Sequence, residues 1–236
     1  MSKIVIISTN NNPDYYCYSE YVKKAWNKIG WEVCCFVTSD VNKKEIYSDY
    51  IIEIPNIENI RTQTLSQASR LYAANYFKDS ILMTSDMDLI PLSNYWNAES
   101  LTVYGHDLTD FTEYPMGYIL MTSKEWIEVM KLSGDTEQDM LKDFAEIKTA
   151  YSNEWYEWWG YDQQLITKRL NQYGKNKINF VNRTRRSTGT YAYGRIDRGD
   201  GMQIPNENLI DMHCDNVNSK HPEKWNKFIN IWQSLF

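Results

Sequence analysis

Over residues 3–85 the chain alternates short apolar runs with stretches of helical apolar spacing, which restricts it to βαβ units on a largely parallel sheet. Residues 3–8 (KIVIIS) read as a buried, β-branched strand. After a polar loop over 9–14, Tyr18, Tyr21, Val22, Ala25 and Ile29 repeat on one helical face, and Gly30 supplies the stop. Residues 32–38 and 50–54 follow as strands, the second ended by Pro55. A helix is expected over 65–77, with Leu65, Ala68, Tyr72 and Tyr76 buried, and then a fourth strand over 80–85. In such sheets ligands collect beyond the carboxyl ends of the strands. That position is occupied here by Asp86, Met87 and Asp88.

The second half is less regular. Strands are expected at 101–104 and 118–121, a helix at 123–132 capped by Ser123, and further helices over 139–151 and 162–173. Residues 184–201 are polar, basic and glycine-containing, and read as a loop or flap. No repeat, low-complexity tract or linker divides the 236 residues, so one domain is expected.

Composition narrows the partners. With 42% hydrophobic and 24% charged residues the chain has a globular balance. A net charge of −6 argues against a general nucleic-acid binder. Arg183, Arg185, Arg186, Arg195 and Arg198 nevertheless cluster late in the chain and allow a local anion site. No segment approaches the ~20 apolar residues of a membrane span, and a first strand at Lys3 leaves no room for a signal peptide. Cys17, Cys34, Cys35 and Cys214 lack metal-ligand spacing and read as reduced core residues, so a cytoplasmic location is expected. The aromatic share of 14% serves either core packing or stacking on sugar rings and nucleobases.

Asp86 and Asp88 carry the strongest chemical signal. In extended backbone, positions i and i+2 point to one side, so both carboxylates are expected to face one spot in the crevice. Two like charges held that close call for a cation. Mg²⁺ or Mn²⁺ fits, because these hard ions take carboxylate oxygens and leave positions open for substrate phosphates. An Asp cap or a simple turn accounts for the same pair without a metal; the place after an apolar strand favours the metal.

Residues 65–92 (LSQASRLYAANYFKDSILMTSDMDLIPL) resemble the GT-A fold glycosyltransferases with a DxD motif, and are especially similar to the family of glycogenin and the bacterial lipopolysaccharide galactosyltransferases. Arg70-Leu71 matches the family's Arg-aliphatic pair on the helix before the metal strand. Residues 89–92 match the short apolar segment after the DxD. Residues 115–121 (PMGYILM) resemble the family's glycine-then-strand segment beside the acceptor, and residues 161–165 (YDQQL) its Asp-Gln helix start. His213, Lys220, Pro222 and Trp225 resemble its C-terminal His…Lys-Pro-Trp signature, although the glycine after the His is absent and His221 separates Lys220 from Pro222.

The resemblance implies an α/β fold with a Rossmann-like, mostly parallel central sheet, helices on both faces and a smaller mixed region on the acceptor side. Residues 1–100 would form the nucleotide-sugar half, and residues 101–236 the acceptor half with a closing C-terminal segment. It implies a nucleotide-sugar donor, foremost a UDP-sugar, and a glycan or glycoconjugate acceptor. Ser8, Thr9, Asn10, Ser85 and Met87 would line the nucleotide, and His213 would complete the metal set with Asp86 and Asp88. Lys220 would neutralise the leaving diphosphate; its bland alternative is a solvated lysine. Arg70 either binds the base end of the donor or braces the Asp loop through a salt bridge. Asp162 is either a helix N-cap or a group at the acceptor and sugar hydroxyls, a base in an inverting enzyme and a positioning group in a retaining one. Gly117, Gln163, Trp158 and Trp159 would face the acceptor, the tryptophans within an aromatic cluster of Trp155, Tyr156 and Tyr161 that equally suits a core.

Two other functions fit parts of this pattern. A nucleotidyltransferase also uses acidic pairs with metal, but it wants a glycine-rich phosphate loop after the first strand, and residues 8–14 hold no glycine. A carbohydrate-binding protein without catalysis would use the aromatic cluster alone.

Overall fold

In the computed structural model of the chain, residues 1–108, 113–148, 160–183, 192–215, 217 and 222–236 are described. Trp155, Tyr156, Trp158, Trp159, Arg185, Arg186, Lys220 and His221 lie outside them, as does the end of the helix expected over 139–151.

The first half follows the expected alternation. It comprises β1 (Lys3–Thr9), a short α1 (Pro13–Tyr16), α2 (Ser19–Lys28), β2 (Glu32–Thr38), β3 (Tyr50–Ile54), α3 (Thr62–Ser69) and β4 (Ile81–Thr84). Gly30 adopts φ +86°, the left-handed region that lets the chain leave α2 and turn into β2. The helix expected over 65–77 begins earlier and breaks at Ser69, continuing as a 3₁₀ turn over Arg70–Asn75. The Ser69 hydroxyl donates to Ser66 O at 2.6 Å and competes for the acceptor that an α-helical N–H would use.

The second half contributes β5 (Leu89–Pro91), β6 (Thr102–Tyr104), β7 (Ile119–Thr122), α4 (Ser123–Met130), α5 (Thr136–Lys148), α6 (Tyr161–Tyr173), β8 (Asn179–Val181), β9 (Arg195–Asp197), β10 (Asp211–His213) and α7 (Pro222–Leu235). Thr122, not Ser123, caps α4. Its hydroxyl accepts from Glu125 N while the Glu125 carboxylate accepts from Thr122 N, a reciprocal capping box. Ser123 instead donates to Ser80 O and ties α4 to the start of β4.

Seven strands form the main sheet in the order β3-β2-β1-β4-β7-β6-β8. All pairings are parallel except those of β7, which runs against β4 and β6. Both faces are buried, so alternate residues enter opposite cores. Ile4, Ile6, Cys34 and Phe36 pack with Leu65 of α3, Trp126 of α4 and Leu165 of α6. Val5, Ile7, Cys35 and Val37 pack with Trp26 of α2 and Phe228 of α7. Each such side chain contributes about 1.5–3 kcal/mol by leaving water, and this holds the strand ends rigidly in register. The four cysteines are free thiols, three of them buried. No helix among the described residues is long and apolar enough to cross a membrane.

A second, three-stranded sheet in the order β5-β10-β9 lies beyond the carboxyl end of β4. Part of the expected 184–201 loop is therefore strand: β9 pairs in parallel with β10, which runs antiparallel to β5.

Candidate active site at the strand ends

A cleft of about 610 Å³ opens where β1 and β4 end. The first half lines it with Ser8, Thr9, Asn10, Arg70, Asp86, Met87 and Asp88, and the second half with Gly117, Tyr118, Asp162, Gln163, Arg183, Arg195, Arg198 and His213. Most sequence-selected residues thus meet in one place. Ser85 is the exception on the donor side: it is fully buried and reaches the site through its carbonyl oxygen, which accepts from Arg70 at 2.8 Å.

Residues 86–88 are not extended. They form a turn, closed by Leu89 N donating to Asp86 O, between the end of β4 and the start of β5. The two carboxylates therefore serve different partners. Asp86, 41% exposed at its side chain, is held by Arg70. Asp88 is buried and faces His213 and Arg198, with its Oδ2 at 3.6 Å from His213 Nε2 and 2.9 Å from Arg198 Nη1. The small sheet makes this meeting possible. The register sets His213 opposite Leu89, and Cys214 N donates to Asp88 O at 2.8 Å.

Arg70 is the hub of the Asp86 side. Its guanidinium is 4% exposed and donates to Ser85 O, to Asp86 and to Asp162 Oδ2, the last at 2.7 Å. The brace alternative read from the sequence is the arrangement seen. Asp162 is not the N-cap of α6: Gly160, at φ +97°, precedes the helix, and Asp162 lies inside its first turn, accepting from its neighbour Gln163 N. Burial pushes the Asp162 carboxyl upward, reinforced by nearby Asp86, and Arg70 only partly offsets this. Gln163 donates to Glu113. Tyr161 is fully buried and stacks on Phe144 at 4.4 Å, so it belongs to the core.

On the other side, Asp197 sits 3.3 Å from His213 Nδ1. Burial lowers the affinity of His213 for its proton, but the Asp197 and Asp88 carboxylates outweigh it and raise the imidazole to about 9. Burial likewise opposes ionisation of Asp88, and His213 with Arg198 reverses that to a net downward shift. Beneath the cleft, fully buried Asp211 accepts from Arg183, Arg195 and the Tyr118 hydroxyl. The two guanidiniums hold its carboxyl below the usual range against the opposing effect of burial.

Asp197 and Asp211 are site residues that no motif in the sequence singles out. Their signal was cross-strand complementarity: Arg-Ile-Asp in β9 lies in register with Asp-Met-His in β10, placing Arg195 beside Asp211 and Asp197 beside His213. Three-residue strands are too short for periodicity to disclose them.

The donor set fits a divalent cation. A carboxylate on one imidazole nitrogen fixes the ring and presents the other nitrogen as a ligand; Asp197 does this for His213, whose Nε2 faces Asp88 Oδ2. Carboxylate oxygens suit hard divalent ions, and a neutral imidazole is a common ligand of first-row divalent metals. Among the described residues no three His, Cys, Asp or Glu side chains converge closely enough to hold an ion, and Asp86 is held by Arg70.

The mostly parallel seven-stranded sheet with one reversed strand and helices on both faces matches the GT-A glycosyltransferase fold. Among solved structures, the galactosyltransferase LgtC in complex with donor and acceptor sugar analogues matches with a TM-score of 0.53 at 14% identity, over 98% of this chain and 96% of that one. An active-site mutant of LgtC matches at 0.52 and 13% identity, over 94% of each chain. The apo form of the glycosyltransferase GlyE of Streptococcus pneumoniae TIGR4 matches at 0.52 and 13% identity, over all of this chain but 62% of that one. At these identities the likeness is one of fold. No protein-family model matches the chain, and no curated protein matches it by sequence.

Proposed function

We propose that this protein is a metal-dependent glycosyltransferase that moves a sugar from a nucleoside diphosphate, foremost UDP, to a glycan or glycoconjugate. The observation that carries the reading is the convergence in one cleft of two differently held aspartates: Asp88 against His213 and Asp197, and Asp86 against Arg70 and Asp162. Asp88 and His213, joined by Asp86, would hold Mn²⁺ or Mg²⁺. When bound, the ion supplies positive charge to the diphosphate as it leaves.

The chain's own residues do the remaining work. Thr9 at the end of β1 and Asn10 after it, with Gln63, Ser66 and Gln67 of α3, form a polar wall suited to the nucleoside. Gln67 Oε1 is a buried acceptor with no hydrogen-bond partner among the described residues, and a donor group on the ligand would satisfy it. Arg70 and Asp162, fixed to each other, orient the sugar hydroxyls; its tie to Arg70 makes Asp162 a positioning group in this reading. Gly117 leaves space beside the reacting centre, since a Cβ there would meet Leu89 Cδ1 at 3.2 Å and Asp86 Oδ2 at 3.8 Å. Gln163, Trp158 and Trp159 are assigned to the acceptor, and Lys220 to the leaving diphosphate.

Incubation with Mn²⁺ and a panel of UDP- and GDP-sugars tests this. The expected result is donor turnover that EDTA abolishes and added Mn²⁺ restores. If no donor is bound or consumed, the proposal fails.

A further inference from the structure

We infer that Arg198 is a transferable cation: it holds Asp88 while no divalent ion is bound, and passes to the diphosphate of the donor once the ion takes its place. This rests on the function proposed above, and it concerns a residue that the sequence reading placed only in a basic cluster.

Three observations carry it. Arg198 Nη1 donates to Asp88 Oδ2, the same carboxylate oxygen that faces His213 Nε2. A guanidinium and a dication on one oxygen repel each other, so the ion displaces the arginine from that position. The side chain reaches solvent: it is 35% exposed, and the same Nη1 makes a longer contact of 3.4 Å to Cys214 O.

Its backbone, by contrast, is fixed. Arg198 begins a 3₁₀ turn whose preceding Asp197 side chain accepts from Gly199 N at 2.8 Å, and whose end, Gly201 at φ +70°, has its carbonyl held by Lys227 of α7. A flexible arm on a rigid base beside the ion pair stays within the cleft, where the diphosphate oxygens bound to that ion would lie. Guanidinium pairs well with phosphate oxygens, in a planar fork that lysine lacks.

On transfer, the bond between the sugar's anomeric carbon and the β-phosphate oxygen breaks and its electron pair stays on that oxygen. The acceptor hydroxyl oxygen bonds to the carbon, and its proton passes to phosphate or to water. Arg198 then faces the added negative charge on the leaving diphosphate and stabilises it.

The test compares wild type, Arg198→Gln and Arg198→Lys in the full chain by three readouts: Mn²⁺ affinity without nucleotide, affinity for UDP and GDP with Mn²⁺, and donor turnover. Arg198→Gln is expected to bind Mn²⁺ alone about fivefold more tightly, because a competing cation is gone. It is expected to bind the nucleotide about tenfold or more weakly, and to turn over more slowly. Arg198→Lys should recover part of the nucleotide affinity. If Arg198 only clipped Asp88 in place, its loss would weaken Mn²⁺ binding. Unchanged or weaker Mn²⁺ affinity in Arg198→Gln, or nucleotide affinity within twofold of wild type, overturns the inference. A wild type that binds neither Mn²⁺ nor either nucleotide overturns the functional reading beneath it.

Discussion

Asp88→Asn is expected to lower donor turnover by about a thousandfold while the protein still folds. The substitution keeps the side chain's shape but removes the charge that faces His213 and Arg198. A catalytic metal supplies several kcal/mol of transition-state stabilisation, and about 4 kcal/mol corresponds to about a thousandfold in rate. Stability should change little. The backbone bond from Cys214 to Asp88 is untouched, and His213 and Arg198 are partly exposed and regain water. Asp197→Asn removes the charge behind His213 while its Oδ1 can still accept from Gly199 N, and should cost about ten- to a hundredfold, as outer-shell partners of metal ligands do. Steady-state turnover with Mn²⁺, beside urea unfolding of each variant, separates the two effects. Equal losses for both substitutions, or a loss explained by unfolding, would remove Asp88 from the chemistry.

Arg70→Met should produce the largest loss of stability, about 3–5 kcal/mol, the range for breaking a buried ion pair on one side. Arg70 is 4% exposed, and Asp162 is 4% exposed beneath it. Without the guanidinium, the Asp162 carboxylate loses its cation and Ser85 O loses its donor. For a chain of this length the expected fall in Tm is on the order of 10 °C. Adding Asp162→Asn to Arg70→Met should recover part of the loss, because the stranded charge goes with it. If the double variant is as unstable as the sum of the singles, Arg70 is not acting through Asp162. Turnover should fall as well, since Asp162 loses the partner that orients it toward the sugar hydroxyls.

The donor half was legible because its elements are long enough to show a period. β2 and β3 fall where the apolar runs place them, and β1 extends one residue beyond. What escaped was decided by local competition or by distant partners. The Ser69 hydroxyl ends α3 early, and Thr122 outcompetes Ser123 as a cap because Ser123 is engaged with Ser80. The Asp pair shows in the sequence, but the backbone there is a turn and not the extended strand end that the apolar run predicts. The turn at 86–88, which gives the two carboxylates different partners, leads into β5, and β5 pairs with β10 from far along the chain. The ion-pair hub at Asp211 forms where the β9–β10 register sets Arg195 beside it and Arg183 and Tyr118 reach it from other elements, and strands of three residues carry no period to disclose it.

The central claim is that Asp88 and His213 form the core of a cation site that presents a nucleoside diphosphate. Anomalous diffraction from crystals grown with Mn²⁺ and UDP tests it most directly. The expected result is one strong peak bonded to Asp88 Oδ2 and His213 Nε2 at about 2.0–2.3 Å, with Asp86 turned from Arg70 toward it and diphosphate oxygens completing the shell. UDP bound in the cleft with no manganese at that pair, or manganese held elsewhere, would contradict it.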